Sequence, residues 1–243
     1  MPDGVVALAL TDGCEVWRVT VGTANVPNTS GGAQPVVVGD TVYVAVASSS
    51  DGRALERAVV ALDSASGGER WRTGIDVLGI IAVGPVTMAD GWVATILSGG
   101  EVVVLSAADG SKTWSSVPPP GLAAAVTLQG GSLIVNAVTH LYALDPATGE
   151  QRWASTIQER AAPFTYQPVP AVVDGLVVLG TTDVSTTASL VAWDLESGAE
   201  VWRAPTEIFG AILSPIVSGG RTYAAALDIN QDGGLFAFAE PAS

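Results

Sequence analysis

The sequence of 243 residues is poor in reactive groups: one cysteine (Cys14), one histidine (His140) and one lysine (Lys112). A single cysteine excludes an intrachain disulfide and any zinc site built from several thiolates. Cys14 itself reads as a small buried residue beside a turn. A single histidine excludes a multi-histidine metal site. His140 stands just before the strand-like run LYALD and reads as a surface or hydrogen-bonded group at a strand start. There is no G-x-S-x-G, phosphate-binding glycine loop or dinucleotide fingerprint.

Positive charge is scarce as well. Ten bases, nine of them arginine, face 24 acids for a net charge of −14. With no Lys/Arg cluster to offset that balance, the chain is not expected to bind nucleic acid or an anionic membrane surface. Charged residues make up only 14% of the chain, while hydrophobic residues reach 48% and mean hydropathy is +0.42. A large core can therefore form, which excludes disorder. The apolar uncharged run 77–89 contains Pro85 and is shorter than the ~20 residues a membrane-spanning helix needs. The start, MPDGVVALAL, lacks a basic segment and enters strand-like sequence at once, so no signal peptide is expected and the chain as given should be soluble.

What the sequence does contain is a repeat. ALDPATGEQRW (143–153) has relatives in ALDSASGGERW (61–71), VLSAADGSKTW (104–114) and AWDLESGAEVW (192–202), with a shifted cousin, ALALTDGCEVW, at 7–17. Aligned on the tryptophans, the glycine column reads Gly13, Gly67, Gly110, Gly149 and Gly198. Spacings of 54, 43, 39 and 49 residues separate Trp17, Trp71, Trp114, Trp153 and Trp202. A period near 40 residues with variable insertions marks a repeat architecture.

Each period also carries two short β-branched runs broken by a glycine turn, such as Asp174-Gly175 or Gly130-Gly131, which predicts a hairpin. A third strand leads into the motif and a fourth carries the tryptophan. Four antiparallel strands per period predict an all-β propeller. The expected boundaries are a partial blade at 1–20, full blades near 35–74, 84–116, 122–156 and 168–204, and a partial blade at 213–240. All belong to one domain covering 1–243. The strand count, 21, corresponds to about five blades, or to an arc of a larger propeller of seven or eight.

The motif reads as structure. Asp145 can accept backbone N–H groups of its turn, Pro146 pre-sets φ, and Gly149 supplies the left-handed residue of a bulged hairpin. The acid slot keeps Asp63, Asp145 and Asp194 but holds Ala9 and Ser106 in the other copies, where an acid precedes the glycine at Asp109. A catalytic residue is not expected once per repeat.

The pattern A-L-D-x-x-T-G-x-x-x-W, with an upstream strand opening on proline, resembles the PQQ-like repeat of quinoprotein-dehydrogenase-type β-propellers. The resemblance covers nearly the whole chain. It implies that Trp17, Trp71, Trp114, Trp153 and Trp202 dock neighbouring blades and that Gly67, Gly110, Gly149 and Gly198 close the turns. That family holds quinoprotein dehydrogenases alongside non-catalytic bacterial relatives that serve as envelope scaffolds or sensor domains. Its first strands line the central axis. Here they read PVVV, PVTM, AAAV, PAVV and PIVS, without the carboxylates and cations that a bound quinone and its calcium require. The adjacent-cysteine disulfide of the family's alcohol dehydrogenases cannot form.

The expectation is therefore a non-catalytic, extracytoplasmic scaffold that recognises a protein partner through polar loops, with 48–58, 181–189 and 228–234 as candidates. The competing readings are a dehydrogenase fragment and a sensor domain of a larger protein. One stretch lies outside the repeat: DINQDGG places Asp228, Asn230 and Asp232 at alternate positions before Gly233, the first half of a calcium loop. The twelfth position is Ala239 rather than an acid, and an Asx-rich turn is the plainer reading. Asn28-Thr29-Ser30 matches a glycosylation acceptor but reads as an exposed loop.

Overall fold

The computed structural model describes residues 3–22, 34–49, 55–75, 86–97, 99–118, 123, 125–157, 168–183, 187–207, 210–219, 221–228 and 233–239. The chain divides into two compact units, Met1–Ser116 and Val117–Ser243.

In the first unit, β1 (Asp3–Leu8) and β2 (Glu15–Gly22) form a two-stranded sheet. A four-stranded sheet follows from β3 (Val36–Val38), β4 (Thr41–Ser49), β5 (Leu55–Asp63) and β6 (Glu69–Gly74). The third sheet comprises β7 (Thr87–Ala89), β8 (Trp92–Ile96), β9 (Val102–Ser106) and β10 (Lys112–Ser116). All pairings are antiparallel between chain neighbours.

The second unit repeats the design. One sheet holds β11 (Ala125–Gln129), β12 (Ser132–Asn136), β13 (His140–Leu144) and β14 (Gln151–Thr156). The next begins with β15 (Ala171–Val173) and β16 (Leu176–Gly180). Its chain then passes through the two-residue β17 (Thr182–Asp183) before returning as β18 (Ser189–Asp194) and β19 (Glu200–Pro205). The last sheet contains β20 (Gly210–Ile212), β21 (Ile216–Ser218), β22 (Arg221–Asp228) and β23 (Gly233–Ala239).

The hairpins follow from their turn chemistry. Asp174-Gly175, Asp90-Gly91 and Gly130-Gly131 all have positive φ at both central positions, the conformation whose twist matches antiparallel strands. Alternation then sends each strand's side chains to opposite faces, and neighbouring sheets bury those faces against each other. Val42, Val44, Ala58, Val60 and Leu62 pack with Val5, Trp17, Val19 and Val21 of the first hairpin. On the other side of the same sheet, Tyr43, Ala45, Val59 and Ala61 meet Val93, Val103 and Leu105. In the second unit, Leu141, Ala143 and Trp153 meet Val177, Val191 and Trp193, and Leu190 and Ala192 meet Ala224 and Ala226.

Two features differ from the sequence reading. The connection at 181–189, read as a polar loop, contains a strand: Thr182 and Asp183 pair with Ala211 and Gly210 of β20. β20 and β21 share one edge of β22, separated by the stretch around Pro215, which interrupts the ladder because proline carries no N–H. Cys14, read as buried, is exposed. It lies in the turn of the two-stranded sheet, where its N–H donates to Asp12 Oδ1 at 2.9 Å.

The tightest connection between second and third strands is Ala137–Thr139, where Val138 adopts φ +68. For a β-branched residue that conformation is strained. Buried Asn136 holds it, accepting the Val138 N–H at 3.0 Å and donating to Pro168 O at 3.0 Å. Replacing Val138 by glycine relieves left-handed strain of about 1–2 kcal/mol per residue, partly offset by chain entropy. Val138→Gly is therefore expected to raise stability by up to about 1 kcal/mol in urea denaturation. A loss of stability would contradict the strain.

Candidate functional site

The polar and aromatic residues of the repeat converge on the seams between consecutive sheets. The third and fourth strands of each sheet are joined by the motif turn, closed by a glycine at φ 70 to 76 in all five copies. A register shift in each hairpin accommodates the extra residue there.

The turn is held from inside by an acid. Asp63 Oδ1 accepts Ser66 N at 2.9 Å and Ser66 Oγ at 2.7 Å. Asp145 Oδ1 accepts Ala147 N at 2.8 Å and Thr148 N at 3.1 Å, and Asp194 Oδ1 accepts Ser197 N at 2.8 Å. In the two copies without this acid, the group before the glycine takes over: Asp12 accepts Cys14 N and Asp109 accepts Ser111 N, at 2.9 and 3.1 Å. Ser66, Thr148 and Ser197 occupy that slot elsewhere and accept the same N–H, at 3.2, 3.2 and 3.4 Å.

Three of these turns then receive the tryptophan of the preceding sheet. Trp17 Nε1 donates to Ser64 O at 2.9 Å, Trp71 Nε1 to Ala107 O at 3.0 Å and Trp153 Nε1 to Leu195 O at 2.8 Å. The six-membered part of each indole lies on the next turn's glycine. A Cβ added to Gly67 would stand 2.7 Å from Trp17 Cε3, and one on Gly110 2.5 Å from Trp71 Cε3. On Gly198 it would stand 2.6 Å from Trp153 Cε3. Two residues after the tryptophan, Thr73 Oγ1 donates to Gly110 O and Ser155 Oγ to Gly198 O, both at 2.5 Å. Trp202 on β19 packs against the apolar cluster that its own sheet shares with the last sheet. Trp114 is half-buried on β10, and Gly149 closes its turn at φ 76.

The sequence reading missed an arginine staple. Arg70 reaches Asp63 Oδ2 at 2.7 Å, Asp40 Oδ1 at 2.8 Å and Thr41 Oγ1 at 2.7 Å, tying the motif turn to the turn between β3 and β4. Arg152 does the same with Asp145 Oδ2 at 2.7 Å, Ser132 Oγ at 2.8 Å and Gly131 O at 2.9 Å. The signal is an Asp with an Arg seven residues on, just before the Trp; Asp194 lacks it because Val201 stands there. Bonding to Arg70 lowers the carboxyls of Asp40 and Asp63 to about 2, with Thr41 and Ser66 assisting. Arg152 lowers Asp145, and Ser197 lowers Asp194.

His140 opens β13, with its Nδ1 3.0 Å from Thr139 Oγ1 and its ring stacked on Tyr142 at 5.9 Å. No group of three or more His, Cys, Asp or Glu side chains able to hold a metal occurs among the described residues. Asp228 ends β22, while Asn230 and Asp232 of the candidate calcium loop lie outside the described residues. So do Asn28 and the loop segments 50–54 and 184–186.

Sheets of four antiparallel strands, joined by a recurring Trp-on-Gly seam, define a PQQ-like repeat β-propeller. The chain belongs to the family described as outer membrane protein assembly factor BamB, whose profile matches residues 2–137, 56–188 and 139–240. It is 29% identical over 197 residues to outer membrane protein assembly factor BamB of Burkholderia pseudomallei (strain K96243), covering 79% of this chain and 45% of that protein. It is 27% identical over 128 residues to quinohemoprotein alcohol dehydrogenase ADH IIB of Pseudomonas putida, covering 47% of this chain and 19% of the enzyme. The chain thus spans less than half the length of either relative. The crystal structure of BamB from Moraxella catarrhalis superposes with a TM-score of 0.55 at 16% identity, over 100% of this chain and 84% of that one. That likeness carries the propeller fold.

Two predictions test the seam. Gly13 and Gly67 share φ near 72 and 73, but only Gly67 carries an indole; nothing among the described residues stands within 4 Å of a Cβ on Gly13. Both Gly→Ala variants incur the left-handed strain, and Gly67→Ala adds overpacking of about 1–3 kcal/mol. Equal losses in chemical denaturation would contradict the seam. Second, carboxyls lowered in the folded state contribute stability that is present above their ordinary value and is lost as pH falls toward about 2. Arg70→Gln should therefore lower the melting temperature at pH 6 and flatten its further decline between about pH 4 and pH 2. An unchanged acid slope would remove Arg70 from the account.

Proposed function

We propose that this chain is a non-catalytic, extracytoplasmic scaffold that binds a protein partner through the loops of its propeller domain. The observation that carries this reading is how the polar groups are used. Every carboxyl whose pKa is displaced among the described residues, namely Asp40, Asp63, Asp109, Asp145 and Asp194, is tied to a turn of the repeat. Perturbed acids in enzymes cluster in a cleft to do proton chemistry. Here they hold hairpins, so the repeat acts as a frame and recognition falls to the connections between strands. The relative named as an outer membrane protein assembly factor supports a partner among proteins of a bacterial envelope assembly. No helix among the described residues is long and apolar enough to cross a membrane.

A second reading rests on the quinohemoprotein alcohol dehydrogenase match over 128 residues. In that reading the chain is part of an enzyme using PQQ and calcium. Asp228, Asn230 and Asp232 are the residues proposed for a calcium ion in either case, without PQQ in the first.

A photo-crosslinking residue placed at 51, 185 or 231 should trap one discrete envelope protein, and the same residue on β4 or β13 should trap none. Dye reduction in the presence of PQQ, calcium and primary alcohols should stay at background. Turnover there would replace the scaffold reading with the enzyme. A calcium-dependent rise in melting temperature that Asp232→Asn abolishes would support the ion site, and no rise at millimolar calcium would remove it.

A further inference from the structure

Four Asp-Gly pairs lie in turns among the described residues, and hydrogen bonding divides them into two kinds. In Asp12-Gly13 and Asp109-Gly110 the acid precedes the glycine of a motif turn, and both partners are held. Gly13 N–H donates to Ala9 O at 2.8 Å and Gly110 N–H to Ser106 O at 2.9 Å. Asp12 Oδ1 accepts the Cys14 N–H at 2.9 Å. Asp109 Oδ1 accepts the Ser111 N–H at 3.1 Å and the Ser111 hydroxyl at 2.8 Å, which holds this carboxyl below its ordinary value.

Asp90-Gly91 and Asp174-Gly175 instead form the turns joining β7 to β8 and β15 to β16, with φ 52 and 84 in one and 47 and 75 in the other. Asp90 has a partner. Among the described residues, no hydrogen bond or ion pair reaches the Asp174 carboxylate, and the Gly175 N–H has no acceptor. Both residues are exposed, and a Cβ on Gly175 would meet nothing within 4 Å. β15 is only three residues long, so its turn opens locally at low cost.

We propose that Asp174-Gly175 is a site of spontaneous covalent modification, at which the folded chain converts its aspartate to isoaspartate. The Gly175 nitrogen attacks Asp174 Cγ. The N–H proton and the hydroxyl of the protonated carboxyl leave as water, and a five-membered succinimide closes. Water then adds to the ring carbon that was the Asp174 backbone carbonyl and breaks its bond to nitrogen. The chain now runs through the former side chain, one methylene longer, and the α-carboxylate stands free. One water leaves and one enters, so the step needs no cofactor or oxidant. Glycine favours it by placing no side chain beside the attacking nitrogen. An unheld carboxyl and N–H spare it the hydrogen bonds that the motif turns would have to break.

The modification reaches the seam. Gly175 O accepts the Leu195 N–H at 2.8 Å, and Leu195 O accepts the Trp153 indole at 2.8 Å. The same two-bond chain runs from Gly91 O through Ala107 to Trp71, and from Asp40 O through Ser64 to Trp17. Lengthening the backbone at Asp174 moves Gly175 O off the Leu195 N–H and loosens the carbonyl that the Trp153 indole needs. Ageing therefore weakens this seam and leaves the Trp71 seam intact. No partner takes part in this chemistry, so its test is separate from that of the scaffold reading.

The full chain is aged for several weeks near neutral pH at body temperature, and isoaspartate is located by electron-transfer fragmentation of its proteolytic peptides. At least about tenfold more is expected at 174 than at 12 or 109, where hydrogen bonds must first be broken. In urea the folded geometry is gone, and all three positions should isomerise at similar rates. The Trp153 indole N–H of the aged protein should exchange faster than before, with Trp71 unchanged. Asp174→Gly removes the carboxyl and reproduces the Gly130-Gly131 turn, so it should fold as the parent does and keep its Trp153 exchange through the same ageing. Equal isoaspartate at the three positions of the folded chain, or none at 174 while the urea sample accumulates it, would overturn the proposal. Isoaspartate at 174 without faster exchange at Trp153, or the same acceleration in aged Asp174→Gly, would overturn its link to the seam.

Discussion

The structure depends on one contact: the indole of one sheet lying flat on the glycine of the next sheet's turn. Sheets of alternating small and β-branched residues are sticky on both faces and could slide or stack at several offsets. The Trp–Gly contact removes that freedom. The ring fits only where a side chain is missing, and its N–H reaches a carbonyl only when the turn stands at one height. Burial of Val59, Val60, Ala61 and their counterparts supplies the area; the seam supplies the register.

The acids and arginines serve that contact. A turn that received an indole but flexed would waste the fit, so its N–H groups are tied back to Asp63, Asp145 or Asp194. Where that acid is missing, Asp12 and Asp109 bond the N–H next to the glycine instead. Arg70 and Arg152 then brace two turns of one sheet against each other. These groups are exposed, so their separate contributions to stability are small. Their role is to hold the glycine's geometry while the apolar faces meet.

Much of this was legible in the sequence. The glycine and tryptophan columns are strict because each is required by shape, and shape requirements leave few substitutes. The hairpin turns were equally plain, since paired Asp-Gly and Gly-Gly positions demand positive φ. The arginine staples were harder to see. They depend on a residue seven positions away being brought alongside by a bulged turn, and the first, third and fifth copies do without them. The short strand at Thr182–Asp183 was hidden because backbone pairing with Gly210 and Ala211 needs no particular side chain. Cys14 lies in an exposed turn, and residue type alone does not distinguish that place from a buried one beside a turn. The loops that recognition would use are varied in sequence and carry no repeat to read them by.

The central claim, that the indole–carbonyl seams hold the sheets in register, is tested most directly by hydrogen exchange at the tryptophan Nε1–H groups. The account predicts that Trp17, Trp71 and Trp153 indoles exchange only through the same global opening that exposes the amides of β4, β5, β13 and β18. Indole protons that exchange at the rate of a free side chain, while those amides stay protected, would contradict it.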